Sequence, residues 1–406
     1  MKKLIISVIW PIIVLLSLGM SMPSADAVTT TTWPPSRPVI GFNTWYQFRT
    51  NITENLILRQ AQELVSSGLA SAGYITVNLD DGWEAATRTA SGELTWNAAK
   101  FPHGIPWLVN RVHGLGLRFG IYTAVGTRTC QNLPGSWSHY KQDADAFAQW
   151  GVDFVKVDEC GGLPTWATVS TVTDNFRQFG TDLRIANPSV VYGEELPVYQ
   201  MNKPGFLDTV RSSASFANMW RVDLDENYTQ PASYTILHHL AADLHLDAFA
   251  RPGHWNDLDM ILPGRQAAMP FDWTLQEQQS QLSVWAIEAS PLLMSTDIAK
   301  LTLAELDSLK NPHMIAIDQS GAQATKAGLS GHIEAVMKPD PEGGMAVLFA
   351  NLGTGVEKRN FTLAQLGISH ARASGYNIWS GKTSTFSTVS ITLNAGQTSL
   401  LQIKGI

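Results

Sequence analysis

The sequence holds only two cysteines, Cys130 and Cys160, among 406 residues, and only 16% of its residues are charged. Two cysteines exclude a disulfide-dense scaffold, and no Cys/His grouping has zinc-site spacing. The adjacent His238 and His239 lie on a predicted helix and read as a solvated or core pair, not a metal site. A Gly-rich phosphate loop of the usual type is missing. Basic clusters are missing too, and the formal net charge is −7, which argues against nucleic acid and anionic membranes. No metal and no cofactor are expected. After one apolar run at the start of the chain, no second long one follows, so the remainder is expected to be soluble.

That first run begins with Met1-Lys-Lys, continues through apolar Leu4 to Leu18, and ends in small and polar residues closing with Ala25-Asp26-Ala27. A charged start, an apolar middle and an Ala-x-Ala site make a secretory signal peptide, residues 1–27, too short for a membrane anchor. Cleavage after Ala27 is expected to leave an exported protein, periplasmic or extracellular, with no membrane contact. Residues 28–37 form a polar, Pro-containing lead-in. In an oxidising compartment an even pair of cysteines reads as a disulfide, the alternative being two free buried thiols. Asn51-Ile-Thr, Asn227-Tyr-Thr and Asn360-Phe-Thr are glycosylation acceptors in a host that uses them.

From residue 38 to 311, strand-like and helix-like patterns alternate. Strands are expected at Val39–Trp45, Tyr74–Asp80, Leu117–Thr123, Val152–Asp158, Ser189–Gly193, Asp208–Ser213 continuing toward Trp220, Trp255–Ile261 and Pro291–Thr296. Helices are expected at Glu54–Ser67, Ile105–Gly114, Gln142–Trp150, Thr165–Phe179, Tyr234–Leu246, Thr274–Ala289 and Leu303–Leu309. Strand and helix in alternation place this part in the α/β class as a (β/α)8 barrel. Polar or aromatic residues load the strand ends, as expected where a barrel carries its site on the C-terminal rim. From residue 312 to 406 the pattern changes to short alternating stretches separated by turns such as Asp340-Pro-Glu-Gly-Gly344, a C-terminal antiparallel β-sandwich domain.

The run Gly151-Val-Asp-Phe-Val-Lys-Val-Asp158 carries the most chemistry. An apolar strand ends in a Lys and an Asp, and such charges are costly to bury unless paired or used. A carboxylate beside a Lys stays ionised, as a nucleophile requires; the plain alternative is an Asp capping the next turn. Asp80-Asp81 at another strand end supplies two acceptors from one loop, suited to a hydroxyl-rich ligand. The chain also has 14 Trp, which fill cores but also stack on sugar rings.

In order along the chain stand Gly41-Phe-Asn-Thr-Trp45, Asn78-Leu-Asp-Asp-Gly-Trp83, Gly120-Ile-Tyr122, Thr129-Cys130, Pro134-Gly-Ser136, Trp150 through Asp158, Trp220-Arg221 and Pro252-Gly-His-Trp-Asn-Asp-Leu-Asp-Met260. This ordered set resembles glycoside hydrolase family 27, the family of α-galactosidases and α-N-acetylgalactosaminidases, over nearly the whole chain after the leader. The resemblance implies that Asp158 is the nucleophile of a retaining exo-glycosidase and that Lys156 contacts the sugar. It implies that Asp80 and Asp81 hold the 4- and 6-hydroxyls of galactose beside Trp45. Tyr122, Arg221 and Asp259 match sugar-contacting positions, and Glu195 is placed near the 2-position. The resemblance also pairs Cys130 with Cys160. The implied substrate is a galactose-containing oligosaccharide, polysaccharide or glycoconjugate.

The match is incomplete. Gly82 stands where many relatives have Cys, and Glu194 and Ala217 replace a second cysteine pair, so Glu194 is left as a candidate to reach a sugar hydroxyl. Two positions compete for the acid/base. Counting four from Arg221 gives Asp225, the favoured choice; matching the family's Asp-Ile gives Asp223 and demands a two-residue deletion. Activity on α-N-acetylgalactosaminides or β-L-arabinopyranosides is an alternative, and an inactive carbohydrate-binding protein is another of a different class. The sequence does not set the oligomeric state.

Overall fold

Short apolar runs, three to seven residues long, form the barrel strands. They are β1 (Ile40–Asn43), β2 (Thr76–Leu79), β3 (Arg118–Ala124), β4 (Phe154–Asp158), β5 (Val191–Glu194), β6 (Met219–Arg221), β7 (Trp255–Asp257) and β8 (Leu292–Met294). The computed structural model describes residues 35–163, 167–226, 232–243, 245–265 and 273–406. The strands are parallel and ordered β7-β6-β5-β4-β3-β2-β1-β8. The ring closes just past β7, where Ile261 bridges Met294 in parallel. Ile261 N–H donates to Leu293 O and Ser295 N–H to Ile261 O, each at 3.0 Å. Strands covered by helices are buried on both faces and need no alternation, which is why they read as apolar runs.

Most expected elements are present with shifted ends; the helix expected at Thr165–Phe179 runs from Val169 to Ala186, and the strand expected to reach Ile261 stops at Asp257. One differs in kind. The stretch Asp208–Ser213, expected as a strand, belongs to the helix Phe206–Phe216, and the sixth strand is only Met219–Arg221. Thr209, Val210, Ser213, Ala214 and Phe216 are its buried positions, a helical spacing. The signal peptide, Thr165 at the start of an expected helix, and the Asn227 acceptor lie outside the described residues. Among the described residues, no helix is long and apolar enough to cross a membrane.

Two helices start with a reciprocal cap, Thr274 with Glu277 and Thr302 with Glu305, in which each side chain satisfies a free backbone N–H. The first of them, Leu275–Glu288, is buried on nearly every side from Gln278 onward. A further helix, Pro312–Asp318, packs against it.

The sandwich strands are β9 (Thr325–Ser330), β10 (Ile333–Pro339), β11 (Met345–Asn351), β12 (Glu357–Thr362), β13 (Ala373–Asn377), β14 (Thr383–Phe386), β15 (Thr388–Leu393) and β16 (Thr398–Gly405). Six make one antiparallel sheet, β14-β13-β16-β11-β10-β9, and β12 pairs with β15 in the other. Alternate side chains of β11 serve two cores. Val347 and Phe349 meet Phe361, Val389 and Ile391 inside the sandwich, while Ala346, Leu348 and Ala350 join the barrel's core.

Candidate active site

The barrel delivers one functional side chain after another to its C-terminal rim. Trp45 opens a short helix just past β1, Asp80 and Asp81 follow β2, and Tyr122 sits on β3. Lys156 and Asp158 are two apart on β4, so both point to the same face. Glu195 follows β5, Arg221 ends β6, Asp225 lies four residues on, and Asp259 lies two past β7. All ten of these residues line one cleft, together with Tyr46, Cys130 and Met260. Six of the lining residues are carboxylic acids and two are cations, Lys156 and Arg221.

Asp158 is held by three donors. Tyr122 Oη donates to its Oδ2 at 3.0 Å, Tyr199 Oη to its Oδ1 at 2.5 Å, and the Glu159 N–H to Oδ1 at 2.7 Å. Cys130 and Cys160 form a disulfide with Cα atoms 4.8 Å apart, which ties the β3 loop to the end of β4 beside this carboxylate. Lys156 is not the direct partner of Asp158. Its ammonium reaches across the ring, 3.1 Å from Asp80 Oδ2 and 3.1 Å from Glu195 Oε1. Burial pushes Lys156 down, but Asp80 first and then Glu195 raise it well above its ordinary value, so it stays charged.

Asp80 also accepts from Asn43 Nδ2 at 2.9 Å. Burial, reinforced by the neighbouring Asp80, pushes the Asp81 carboxyl up to about 6, while the Gln131 N–H at 2.9 Å works against the rise. Asp81 Oδ1 is buried with no hydrogen-bond partner, an acceptor that a ligand hydroxyl would satisfy. Gly82 follows with φ +102°, and a Cβ there would meet Thr50 Cγ2 at 2.9 Å. A side chain at this position would be strained in this turn.

Arg221 is fully enclosed. Its Nη1 lies 3.1 Å from Asp259 Oδ1 and 3.5 Å from Glu195 Oε1, and its Nη2 lies 3.1 Å from Asp225 Oδ1. Burial lifts the Glu195 carboxyl, and the charge of Asp158 adds to this against the pull of Lys156 and Arg221. The Asp225 side chain is 71% exposed, so what desolvation it feels pushes it up only weakly, and Arg221 first and then Lys156 outweigh this and hold its carboxyl below the ordinary value. Asp259 has φ +82°, a region non-glycine residues rarely occupy. Four contacts hold it there. The Tyr46 hydroxyl and the Glu226 N–H donate to its Oδ2, its own N–H donates to Asp257 Oδ1, and Trp285 Nε1 donates to its carbonyl. Strain maintained by so many contacts is found where a side chain must be aimed.

Asp223, the competing acid/base position, lies elsewhere. It is fully buried behind the cleft, 2.6 Å from His238 Nδ1 and 3.0 Å from His239 Nδ1 on the helix Ala232–Asp243. Burial raises Asp223, and His239 more than reverses this, leaving the carboxyl below its ordinary value. Glu194 does not line the cleft either. Its Oε2 accepts from the Leu196 N–H at 2.6 Å, and burial pushes it up to about 8. Tyr46 and Tyr199 are absent from the sequence-based candidates, and the one signal for Tyr199 is its place one turn past Glu195. A wider groove adjoins the cleft, sharing Glu195 and Asp225 and lined further by Tyr199, Leu224 and Tyr234.

The Alpha galactosidase A family model matches residues 38–320, and the Alpha galactosidase C-terminal beta sandwich domain model matches residues 330–403. The chain is 31% identical to "Probable alpha-galactosidase A" of Aspergillus fumigatus over 99% of its own length and 75% of the relative's. It is 32% identical to alpha-galactosidase 2 of Arabidopsis thaliana over 88% of this chain and 86% of that one. Among solved structures, alpha-galactosidase I from Mortierella vinacea superposes with a TM-score of 0.81 at 26% identity, covering 92% of this chain and 98% of the other. The barrel with its carboxylate-rich rim, the trailing sandwich and these matches together make the chain a member of the alpha-galactosidase family of glycoside hydrolases, family 27.

Proposed function

We propose that the chain is a retaining exo-α-galactosidase in which Asp158 is the nucleophile and Asp225 the acid/base. The observation that carries this reading is one cleft lined by both carboxylates, with the Asp80–Lys156–Glu195 ion-pair chain on its wall. Asp80 and Asp81 accept hydrogen bonds from the 4- and 6-hydroxyls of a terminal galactose, with Trp45 beside the ring. Glu195 and Arg221 lie toward the 2-hydroxyl. In the first step the Asp158 carboxylate forms a bond to the anomeric carbon as the glycosidic bond breaks, and Asp225 gives its proton to the departing oxygen. In the second, water loses a proton to Asp225 and attacks the same carbon, and Asp158 leaves. The adjoining groove with Tyr199, Leu224 and Tyr234 takes the leaving group, the rest of a galactose-containing oligosaccharide, polysaccharide or glycoconjugate.

The same proposal covers the chain's processing and organisation. Residues 1–27 act as a signal peptide cleaved after Ala27, residues 38–311 form the catalytic domain, and residues 312–406 form the sandwich.

A panel of nitrophenyl glycosides tests the substrate. Turnover of the α-galactoside is expected to exceed that of the α-N-acetylgalactosaminide and the β-L-arabinopyranoside. A reversed order would reassign the sugar, and no turnover at all would leave a binding protein. A 2-fluoro galactosyl probe is expected to label Asp158, and NMR of the first-formed sugar is expected to show retention. Asp225→Ala should keep glycosylation by an activated aryl galactoside, lose the natural substrate, and regain its second step with azide. The same signature in Asp223→Ala alone would move the acid/base by two residues.

A further inference from the structure

Away from the cleft, three carboxylates meet near β7 at the ends of the helices outside it. Asp243 is the last residue of the helix Ala232–Asp243, Glu288 is the last residue of the helix Leu275–Glu288, and Asp247 begins a single 3-10 turn. One carboxylate oxygen from each can be chosen so that all lie within 4.8 Å of one another. Both Asp243 oxygens, Asp247 Oδ1 and Glu288 Oε1 are buried with no well-aligned hydrogen-bond donor, although Glu288 lies within reach of both aspartates. An amide stands beside them. Asn256 on β7 is 1% exposed, and its side chain is within hydrogen-bond reach of the Asp243 carboxylate. Its Nδ2 donates to Leu246 O at 3.1 Å, and its Oδ1 has no partner.

Three features converge on a positive ligand. Acids at the C-terminal ends of two helices sit against the negative ends of both dipoles, the opposite of the favoured arrangement. Buried carboxylates at this spacing repel one another unless a cation or a shared proton intervenes. The protein's own cations are committed or peripheral. Lys338 donates to Ala286 O at 2.7 Å and faces Asp318 as well as Glu288, while Lys326 and His245 act on Asp247. A single proton on Glu288 serves only one of its two aspartate neighbours and leaves the Asn256 oxygen without a partner. All-oxygen donors, mostly carboxylate, are the ligand set of a hard divalent cation, and a larger ion tolerates their irregular placement best.

We propose that Asp243, Asp247, Glu288 and Asn256 form a structural divalent-cation site, selective for Ca2+, that ties both helix ends to β7. The ion would brace the strand that leads to Asp257 and Asp259 without touching the reacting sugar.

Calcium chloride alone is the probe. The whole chain, stripped with EDTA and dialysed, is titrated by calorimetry and its melting temperature followed with CaCl2, with MgCl2, and with KCl at matched ionic strength. One Ca2+ per chain is expected, with a melting temperature that rises with Ca2+ and rises less with Mg2+. Glu288→Gln and Asp247→Asn should each weaken Ca2+ binding by about tenfold or more while kcat/KM for a nitrophenyl galactoside with the metal-free chain is unchanged. Asp247 is only partly buried, so its variant serves if Glu288→Gln fails to fold. No heat and no shift in melting temperature would overturn the site and leave a proton-sharing cluster. Undiminished Ca2+ binding in the variants would also overturn it, since the ion would then sit elsewhere.

Discussion

At the scale of single residues, Tyr199 and Asp225 carry the sharpest expectations. Tyr199 donates a 2.5 Å hydrogen bond to Asp158 Oδ1, while Tyr122 holds the other oxygen, Oδ2. A hydrogen bond to a charged acceptor contributes about 1.5–3 kcal/mol to stability, so Tyr199→Phe should lower the melting temperature by a few degrees and, by leaving Asp158 less firmly aimed, lower kcat by about tenfold. Steady-state kinetics beside a thermal melt check this, and kcat within twofold of the parent would remove Tyr199 from the mechanism. For Asp225 the pH dependence follows from sign. Its carboxyl lies below its ordinary value, chiefly because Arg221 outweighs desolvation. The protonated form that gives up a proton is therefore abundant only in acid, and the rate should fall as pH rises through the acidic range. The fall should be steep with a sugar leaving group and shallow with an activated aryl one, which needs little protonation. Parallel pH profiles of kcat/KM on the two substrates measure it. A rate on the sugar substrate that is flat from acid to neutral pH would contradict the assignment.

At the scale of elements, the loop after β6 decides where Asp225 points, and it is clamped from behind. Asp223 pairs with His239, and Glu226 accepts from Gln281 Nε2 at 2.5 Å. Burial pushes His239 down, but Glu226 and then Asp223 raise it above its ordinary value. The raised His239 contributes stability that is present below its unfolded value and lost as pH climbs through the folded one. The lowered Asp223 contributes stability present above its unfolded value and lost as pH falls through the folded one. The clamp therefore works in mildly acidic solution. Asp223→Asn should cost about 3–5 kcal/mol there, and less at alkaline pH, where the histidine is neutral in both proteins. Urea unfolding at the two pH values reads the difference; an equal loss at both would mean that the pair's charge is not what holds the loop. The same region marks how far the sequence alone could be read. Barrel strands were legible because burial on both faces leaves unbroken apolar runs. Asp208–Ser213 misled because Thr209-Val210 in a window of six residues fits period two as well as 3.6, and only packing on both sides of the strand ring chose helix. Lys156 and Asp158 are legible as a charged pair where one apolar strand ends. That Lys156 bonds across to β2 and β5 loops is not, because cross-ring distances are set by the closed barrel.

At the scale of the whole molecule, barrel and sandwich share a core. The helix Leu275–Glu288 is covered by the barrel on one side and by β10, β11 and β16 on the other. Trp379 Nε1 donates to Ser283 Oγ at 2.8 Å and Lys338 Nζ to Ala286 O at 2.7 Å, so the sandwich reaches the helix backbone itself. Calorimetry should therefore give one unfolding transition. A chain ending at residue 320 should expose the buried polar and apolar face of that helix and fail to stay soluble. Two separate transitions, or a soluble and active truncated chain, would show that the halves are independent. The two-faced strand β11 has one more consequence, for the exchange of parts between relatives. Val347 and Phe349 are matched to the sandwich interior and Ala346, Leu348 and Ala350 to the barrel side, so one five-residue stretch must satisfy two neighbours at once. A chimera that takes its barrel from one parent and its sandwich from another will break this fit. Grafts that move the helix Leu275–Glu288 together with the sandwich keep it, and they place the crossover in the loops of the barrel instead.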